Sequence, residues 1–318
     1  MNKFDFPLSL LRCPNCAANN LVTRQMDVSI ICETCKIEFP FNHGRPVLLN
    51  PQNDLFNFAD YVNAGLPSLQ NDKGIGRFIP SSSVNLCSER VLGTLGRTLS
   101  SLSSARVLVV GGGRQRSWLN KRLEVGNHVK IIYSDIDVNA DVDVFCDGHD
   151  LPFADNVFDA VITTAVLEHV LYPEKVVSEI YRVLKTNGSL YSELPFIQQV
   201  HEGAYDFTRY THSGHRRLMN GFEEVESGMV AGPGTAMVWT IENFVLSFFS
   251  NRILRQAAKA GVRLLFFWIK YFDILLKNKP EAMDGASCTY FFGKKIPGKI
   301  ADSQIIKKYV GAKHLSHT

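Results

Sequence analysis

Three groups of residues in this chain have the types and spacing that chemistry requires. Cys13-Pro-Asn-Cys16 and Cys32-Glu-Thr-Cys35 are two CxxC pairs separated by 15 residues, the spacing of a four-thiolate zinc site. Four thiolates close the coordination sphere, so the expected Zn2+ is structural and holds together a segment too short to be stabilised by core burial. Gly111-Gly112-Gly113 ends the apolar run Arg106-Val-Leu-Val-Val, which reads as a buried strand breaking into a turn that a ligand can approach closely. Asp135 closes a second apolar strand about 20 residues later, where a nucleotide-binding βαβ unit places a carboxylate on ribose hydroxyls. The third group follows another strand end, between Pro195 and His212, and gathers His201, Tyr205, Asp206, Arg209 and Tyr210. Imidazole, carboxylate, guanidinium and phenol together are unlike a plain connector.

These groups need elements to position them, and the chain supplies alternating ones. A helix is expected over Arg114 to Glu124, then a strand from Val129 into Ser134-Asp135, then Val142 to Cys146 ending at Asp147-Gly148. The run from Val157 ends at Thr163-Thr164, and the next helix opens at Pro173 and closes at Asn187-Gly188. Ser189 to Leu194, Phe222 to Val230 and Ser287 to Lys295 complete the strands. Such alternation implies a parallel sheet with ligands at the carboxyl ends of its strands. Upstream, Leu86, Val91, Leu95 and Leu99 mark a helix over Val84 to Leu102, and the Asn/Pro/Gly/Ser-rich stretch Asn50 to Ser83 reads as a linker.

VLVVGGG, YSDID, DGHDLPFADNVFDAVI, VLEHV and EIYRVLKTNGSLY, in this order between Arg106 and Phe196, resemble the successive motifs of class I S-adenosylmethionine-dependent methyltransferases. The similarity is to the branch typified by ubiquinone and menaquinone methyltransferases. It implies an α/β fold with a Rossmann-like seven-stranded sheet whose last strand is antiparallel, and S-adenosylmethionine as cofactor. By the resemblance, Gly111 and Gly113 lie against the methionine part, Asp135 holds the ribose, and Asp147 with Gly148 flanks the adenine. Gly112, Ile136 and Thr163 join the same cofactor set. Val109 and Gln115 stand where the family usually has an acid and a third glycine, so a binding protein of this fold without turnover is one alternative. The N-terminal module, with Phe39 to Leu49 as its end, is similar to zinc ribbons found beside methyltransferases, some of which contact ribosomal RNA. An RNA methyltransferase that docks through the ribbon is the second alternative.

Methyl transfer from a sulfonium is an in-line displacement, so alignment of acceptor and methyl matters most. For a hydroxyl acceptor a base is needed, and His201 is the first candidate, with Asp206 or His169 behind it. Arg209 is placed to hold an anionic substrate group, beside Tyr205 and Tyr210. Two plainer readings stand next to these: Asp206 and Arg209 pair to fix the loop, and His169 only shapes the pocket floor. The expected reaction is O-methylation of a sugar or lipid-linked glycan intermediate.

With 318 residues and 45% apolar content, the chain has room for one large α/β domain and a small one. The expected division is a ribbon over 1–50, linker and helix over 51–100, a cofactor-binding core over 101–235, a helical insertion over 236–284, and the last strand with a tail over 285–318. A net charge of +3 does not mark a nucleic-acid binder. Met1 to Leu11 has no secretory apolar core, and metal-type thiols point to a reducing compartment, so a cytoplasmic protein is expected. Residues 251 to 277 form an amphipathic pattern: Arg252, Arg255, Lys259, Arg263, Lys270, Asp273 and Lys277 fall within a sector of about 80°, opposite Leu254, Leu264, Leu265, Trp268, Phe272 and Leu275. From Asn251 onward 13 Lys and Arg face 4 Asp and Glu. The pattern suits contact with the inner membrane face, or packing on the chain's own domain or on a second copy in a homodimer.

Overall fold

The computed structural model describes residues 6–24, 29–62, 79–113 and 116–313. Arg114, Gln115, residues 25–28 of the expected ribbon and residues 63–78 of the expected linker lie outside the described residues. The ribbon is a four-stranded antiparallel sheet of β1 (Leu21–Arg24), β2 (Ser29–Cys32), β3 (Glu38–Asn42) and β4 (Arg45–Pro46), paired in that order. Its two CxxC turns are copies of one knuckle. Ala17 N donates to Cys13 O at 2.9 Å and Lys36 N to Cys32 O at 2.8 Å, each from a left-handed residue with φ of 61° and 62°. The ribbon also shares a core with the rest of the chain: Phe6, Leu21, Ile30, Phe39 and Leu48 are buried in one cluster with Leu108, Ile132 and Phe158. Bridges Leu11↔Phe153 and Val47↔Phe145 lay its ends on the main domain.

After α1 (Phe58–Val62) and α2 (Ser88–Ser100) the chain alternates through β5 (Ala105–Val110), α3 (Arg116–Leu123), β6 (Val129–Asp135), β7 (Val144–Phe145), β8 (Phe158–Thr164), α4 (Pro173–Val183) and β9 (Leu184–Pro195). Then follow α5 (His212–Leu218), β10 (Phe222–Ala231), α6 (Pro233–Leu246), α7 (Arg252–Phe266), α8 (Phe272–Leu276), β11 (Cys288–Lys295) and α9 (Asp302–Lys307). The seven-stranded sheet has the order β10-β11-β9-β8-β5-β6-β7. β9, β8, β5, β6 and β7 pair in parallel, and β11 enters antiparallel between β9 and β10, as the family resemblance implies. Apolar side chains fill both faces of the sheet, with α4 and the ribbon over one and α2 and α3 over the other. The order reverses at β5, from which successive strands leave in opposite directions, and that switch point opens the crevice used below.

Two boundaries differ from the sequence reading. The α4 helix ends at Val183 rather than near Asn187-Gly188, because Leu184 already pairs with Phe158. Residues 185–188 then bulge out, with Asn187 at φ 62°, before Ser189 rejoins β8 opposite Ala160. The amphipathic run is likewise not one helix: a 3-10 turn over Phe267–Tyr271 separates α7 from α8.

The insertion packs with its polar side inward. Asp273 is fully buried and its carboxylate accepts from Gly232 N, Gly234 N and Thr235 N at 3.0, 2.7 and 3.0 Å, which caps the start of α6. Glu242, also buried, takes Arg263 at 2.7 Å and Ser82 at 3.0 Å, and Lys270 reaches Ser81 O at 2.6 Å. The apolar side is left to solvent, with Phe248 72%, Leu265 68% and Leu275 71% exposed. No described helix is long and apolar enough to cross a membrane.

Two neutral imidazoles join α5 to the sheet. His215 sits between Ser192 Oγ and Thr289 Oγ1, both at 3.1 Å, and His212 Nε2 meets Ser227 Oγ at 2.8 Å. Burial lowers their pKa values to about 3 and about 4, since a charged ring cannot be hydrated there. Between these values and the ordinary 6.5 the unfolded chain binds more protons, so stability is complete above pH 6.5 and falls as the pH drops towards 4. Urea unfolding from pH 8 to pH 4 is expected to show this acid limb, and His215→Gln should flatten it.

Candidate functional site

A cleft of about 720 Å³ opens at the carboxyl ends of the parallel strands, within the ~300–1,000 Å³ range of small-molecule sites. Its floor is the turn after β5. Gly111 and Gly113 have φ of 68° and 44°, and a Cβ on Gly111 would overlap Val166 Cγ2 at 2.1 Å. Only glycine keeps the backbone in this path without a side chain filling the floor of the cleft. Asp135, at the tip of β6, is bound to that turn: Oδ2 accepts from Gly113 N at 2.6 Å, and Oδ1 accepts from Ile136 N and Asp137 N at 2.7 and 2.9 Å. Burial raises its pKa, while the three amides work in the opposite direction. Oδ1 is saturated by its two amides, and Oδ2 retains one acceptor site for a ligand hydroxyl.

The far wall of the cleft carries Asp147 and Gly148, with Cys146 and His149 beside them. Burial opposes ionisation of Asp147, but the ring and amide of His149, at 2.7 and 2.9 Å, and Asn53 Nδ2, at 2.8 Å, together hold its carboxyl below the usual range. Asn53 belongs to the strap that leaves the ribbon and crosses the cleft. Leu55, Phe56, Asp60 and Tyr61 of this strap line the cavity, and Tyr61 Oη donates to Ile136 O at 2.7 Å. The strap was read as a linker. Phe56, Phe58 and Tyr61, three aromatic residues in a polar stretch, were the signal that it covers something apolar.

At the opposite end, His169 and His201 line the cleft with their rings edge to face, centroids 4.8 Å apart. His169 Nδ1 meets Tyr205 O at 2.7 Å, and its pKa is lowered by burial and by its neighbour His201. Beneath them Glu168 is 1% exposed, burial pushes its pKa up to about 7, and neither carboxylate oxygen has a hydrogen-bond partner among the described residues. Sequence reasoning passed over Glu168 as a neighbour of His169, since its burial follows from the turn after β8. Ala165, left-handed at φ 54°, makes that turn and also lines the cleft.

The structure brings Gly111, Gly113, Asp135, Ile136, Asp147, Gly148, His169, His201 and Tyr205 to one cavity. It leaves out five other expected site residues. Gly112 is buried behind the turn, its amide on Ser134 O at 2.8 Å, and Thr163 is buried inside β8. Asp206 and Arg209 form a two-point ion pair, and Arg209 also donates to Gln198 O at 2.8 Å and Gln199 O at 3.1 Å. Burial of Asp206 is outweighed by Arg209 and the His201 amide, which hold its carboxyl far below the ordinary range. The pair therefore staples the loop that carries His201 and is not among the residues lining the cleft. Tyr210 packs half-buried against the core. Val109, where an acid was expected by resemblance, points into the sheet face away from the cavity.

The four cysteines gather as their spacing required. Cys13 Sγ lies 3.7 Å from Cys35 Sγ and Cys16 Sγ 3.5 Å from Cys32 Sγ, all four within 4.8 Å of one another. Zn–S bonds of about 2.3 Å in a tetrahedron put sulfurs about 3.8 Å apart, so the set fits Zn2+.

A glycine turn and an acid on adjacent parallel strand tips, at the switch point of a β10-β11-β9-β8-β5-β6-β7 sheet, define a nucleoside-cofactor domain of the methyltransferase type. Residues 109–192 match the family model described as a methyltransferase domain. The ubiquinone/menaquinone biosynthesis C-methyltransferase of Neisseria gonorrhoeae is 42% identical over 62 residues, 19% of this chain and 25% of that protein. The match thus spans a quarter of the curated relative. Among solved structures, the Haemonchus contortus phosphoethanolamine N-methyltransferase 2 complex with S-adenosyl-L-methionine aligns with TM-score 0.41 and 20% identity, over 65% of this chain and 52% of that one. A SAM-dependent methyltransferase from Archaeoglobus fulgidus aligns with TM-score 0.40 and 17% identity, over 69% and 97%.

Because the strap hangs from the ribbon, the cysteine cluster and the cleft wall are coupled. Elemental analysis is expected to give one zinc per chain carried by the four cysteines. Cys16→Ser should lower that content and, by loosening Asn53 and Tyr61, raise proteolysis between residues 20 and 62.

Proposed function

We propose that the chain is an S-adenosylmethionine-dependent O-methyltransferase acting on a hydroxyl of a sugar or lipid-linked glycan held at an anionic membrane surface. The observation that carries the reading is the single cavity in which Asp135 and the glycine turn stand at one end and His169 and His201 at the other. Bound there, the cofactor supplies an electrophilic methyl on a sulfonium. Gly111 and Gly113 lie against its amino-acid end without side chains in the way, Asp135 Oδ2 accepts from a ribose hydroxyl, and Tyr61 and Phe56 cover the nucleoside and exclude water. His201 Nε2 takes the acceptor proton, with Asp206 and Gln199 O orienting the ring through Nδ1 at 3.5 and 3.2 Å. Tyr205 and Phe207 border the acceptor side.

The membrane part of the reading rests on the reversed insertion. Between Asn251 and Lys279 the only acid is Asp273, which is buried, whereas Arg252, Arg255, Lys259, Lys277 and Lys279 are exposed. Cations beside exposed Trp268, Phe272, Leu265 and Leu275 complement an anionic lipid interface. The same element reaches the cleft: Trp239 of α6 packs on His201, and Gln199 donates to Thr240 at 3.0 Å. The ribbon favours this over RNA docking, because Arg12, Arg24 and Arg45 are each paired with a carboxylate.

Calorimetric titration with S-adenosylmethionine is expected to give one site, weakened tenfold or more by Asp135→Ala; no binding at millimolar cofactor sinks the enzyme reading. With an acceptor in hand, His201→Ala should lower kcat by ~10²–10⁴-fold. Vesicles containing phosphatidylglycerol should sediment the protein and neutral vesicles should not, with Leu265→Asp/Trp268→Asp abolishing the effect. A dimer in light scattering that this double variant dissociates, without vesicle binding, would assign the face to a second copy instead.

A further inference from the structure

Glu168, His169 and His201 make up a cluster that proton transfer by His201 does not require. Their ligand-type atoms, one carboxylate oxygen and two ring nitrogens, all lie within 4.8 Å of one another, and His169 Nε2 is 3.6 Å from Glu168 Oε1. Ligands sharing one ion at about 2.1 Å sit roughly 3.0–3.4 Å apart in tetrahedral or octahedral geometry, so closure from this arrangement needs side-chain movements of up to about 1.5 Å. Both rings are oriented from behind. His169 Nδ1 faces Tyr205 O, and His201 Nδ1 faces Gln199 O and Asp206 Oδ2, all of them acceptors. Each Nδ1 therefore carries the proton and each Nε2 keeps its lone pair, the arrangement typical of metal-ligating histidines. The independent sign of a missing partner is Glu168: a buried carboxylate whose two oxygens find no donor among the described residues. A buried anion without hydrogen bonds is costly, and a cation is the partner that would relieve it.

We propose that Glu168, His169 and His201 form a two-histidine, one-carboxylate site for a divalent cation such as Mn2+, Fe2+ or Zn2+, with its open positions towards the acceptor end of the cleft. Three protein ligands leave room for substrate oxygen, and a cation there would lower the pKa of a coordinated hydroxyl and fix its direction towards the methyl group. In that state His201 is a ligand, and the hydroxyl proton leaves to solvent as the oxygen binds. The role in catalysis rests on the methyltransferase reading; occupancy by the cation does not.

The test is Mn2+ titration of the full zinc-loaded chain, following free Mn2+ by electron paramagnetic resonance. One equivalent bound with micromolar affinity is expected, weakened tenfold or more by Glu168→Gln and by His201→Ala, the second at an exposed position where folding is not at stake. Zinc content of the same samples reports that the ribbon is intact. Absence of Mn2+ binding at 1 mM, or binding that neither substitution alters, overturns the site. Calorimetry with S-adenosylmethionine in the absence of Mn2+ separates the two readings, since the cofactor can bind while the cation fails.

Discussion

Everything at the cleft depends on a short contact between two strand ends: the Gly113 amide on the Asp135 carboxylate, at 2.6 Å. It fixes the glycine turn relative to β6, and β6 in turn carries Ile136, on whose carbonyl Tyr61 rests. Three amides offset part of the cost of burying this carboxylate, and one acceptor site on Oδ2 remains for a ligand. Remove it and the turn, the nucleoside wall and the strap lose a common reference.

The ribbon extends this arrangement. It is joined to the catalytic layer through a shared core and through the Arg45–Asp141 pair at 2.7 Å. The first part of the strap, up to Val62, is thereby held over the crevice, with Asn53 on Asp147. A cysteine cluster remote from the cleft residues in sequence thus contributes to the shape of the pocket, by anchoring one end of a segment that has little secondary structure of its own.

Much of this was legible in the sequence, because the relevant signals are local. CxxC spacing, β-branched runs ending in glycine or acid, and Pro173 at a helix start are each decided within a few residues, and the strands and thiolates lie where those patterns put them. Asp135, Asp147 and His201 reach the cavity for the same reason, being at strand tips or in the loop after one. What was not legible was long-range. Nothing in the neighbourhood of Asp206 distinguishes a base from the internal partner of Arg209, since the choice depends on carbonyls of Gln198 and Gln199 folding back over the guanidinium. Tyr61 could not be placed without knowing that the ribbon docks beside β7. The helical wheel of 251–277 showed two faces correctly, but which one turns inward was decided by Glu242 and by the amides at the start of α6, far away in the chain.

That inward polar stripe reverses the usual map of mutational tolerance. In an ordinary surface helix, exchanging a lysine or an aspartate is harmless and exchanging a leucine is ruinous. Along α7 and α8 the folded state should accept almost any side chain at Leu254, Leu265 or Leu275, yet admit few at Arg263, Lys270 or Asp273. Substitutions there would thus divide a purely functional alphabet from a purely architectural one within a single segment.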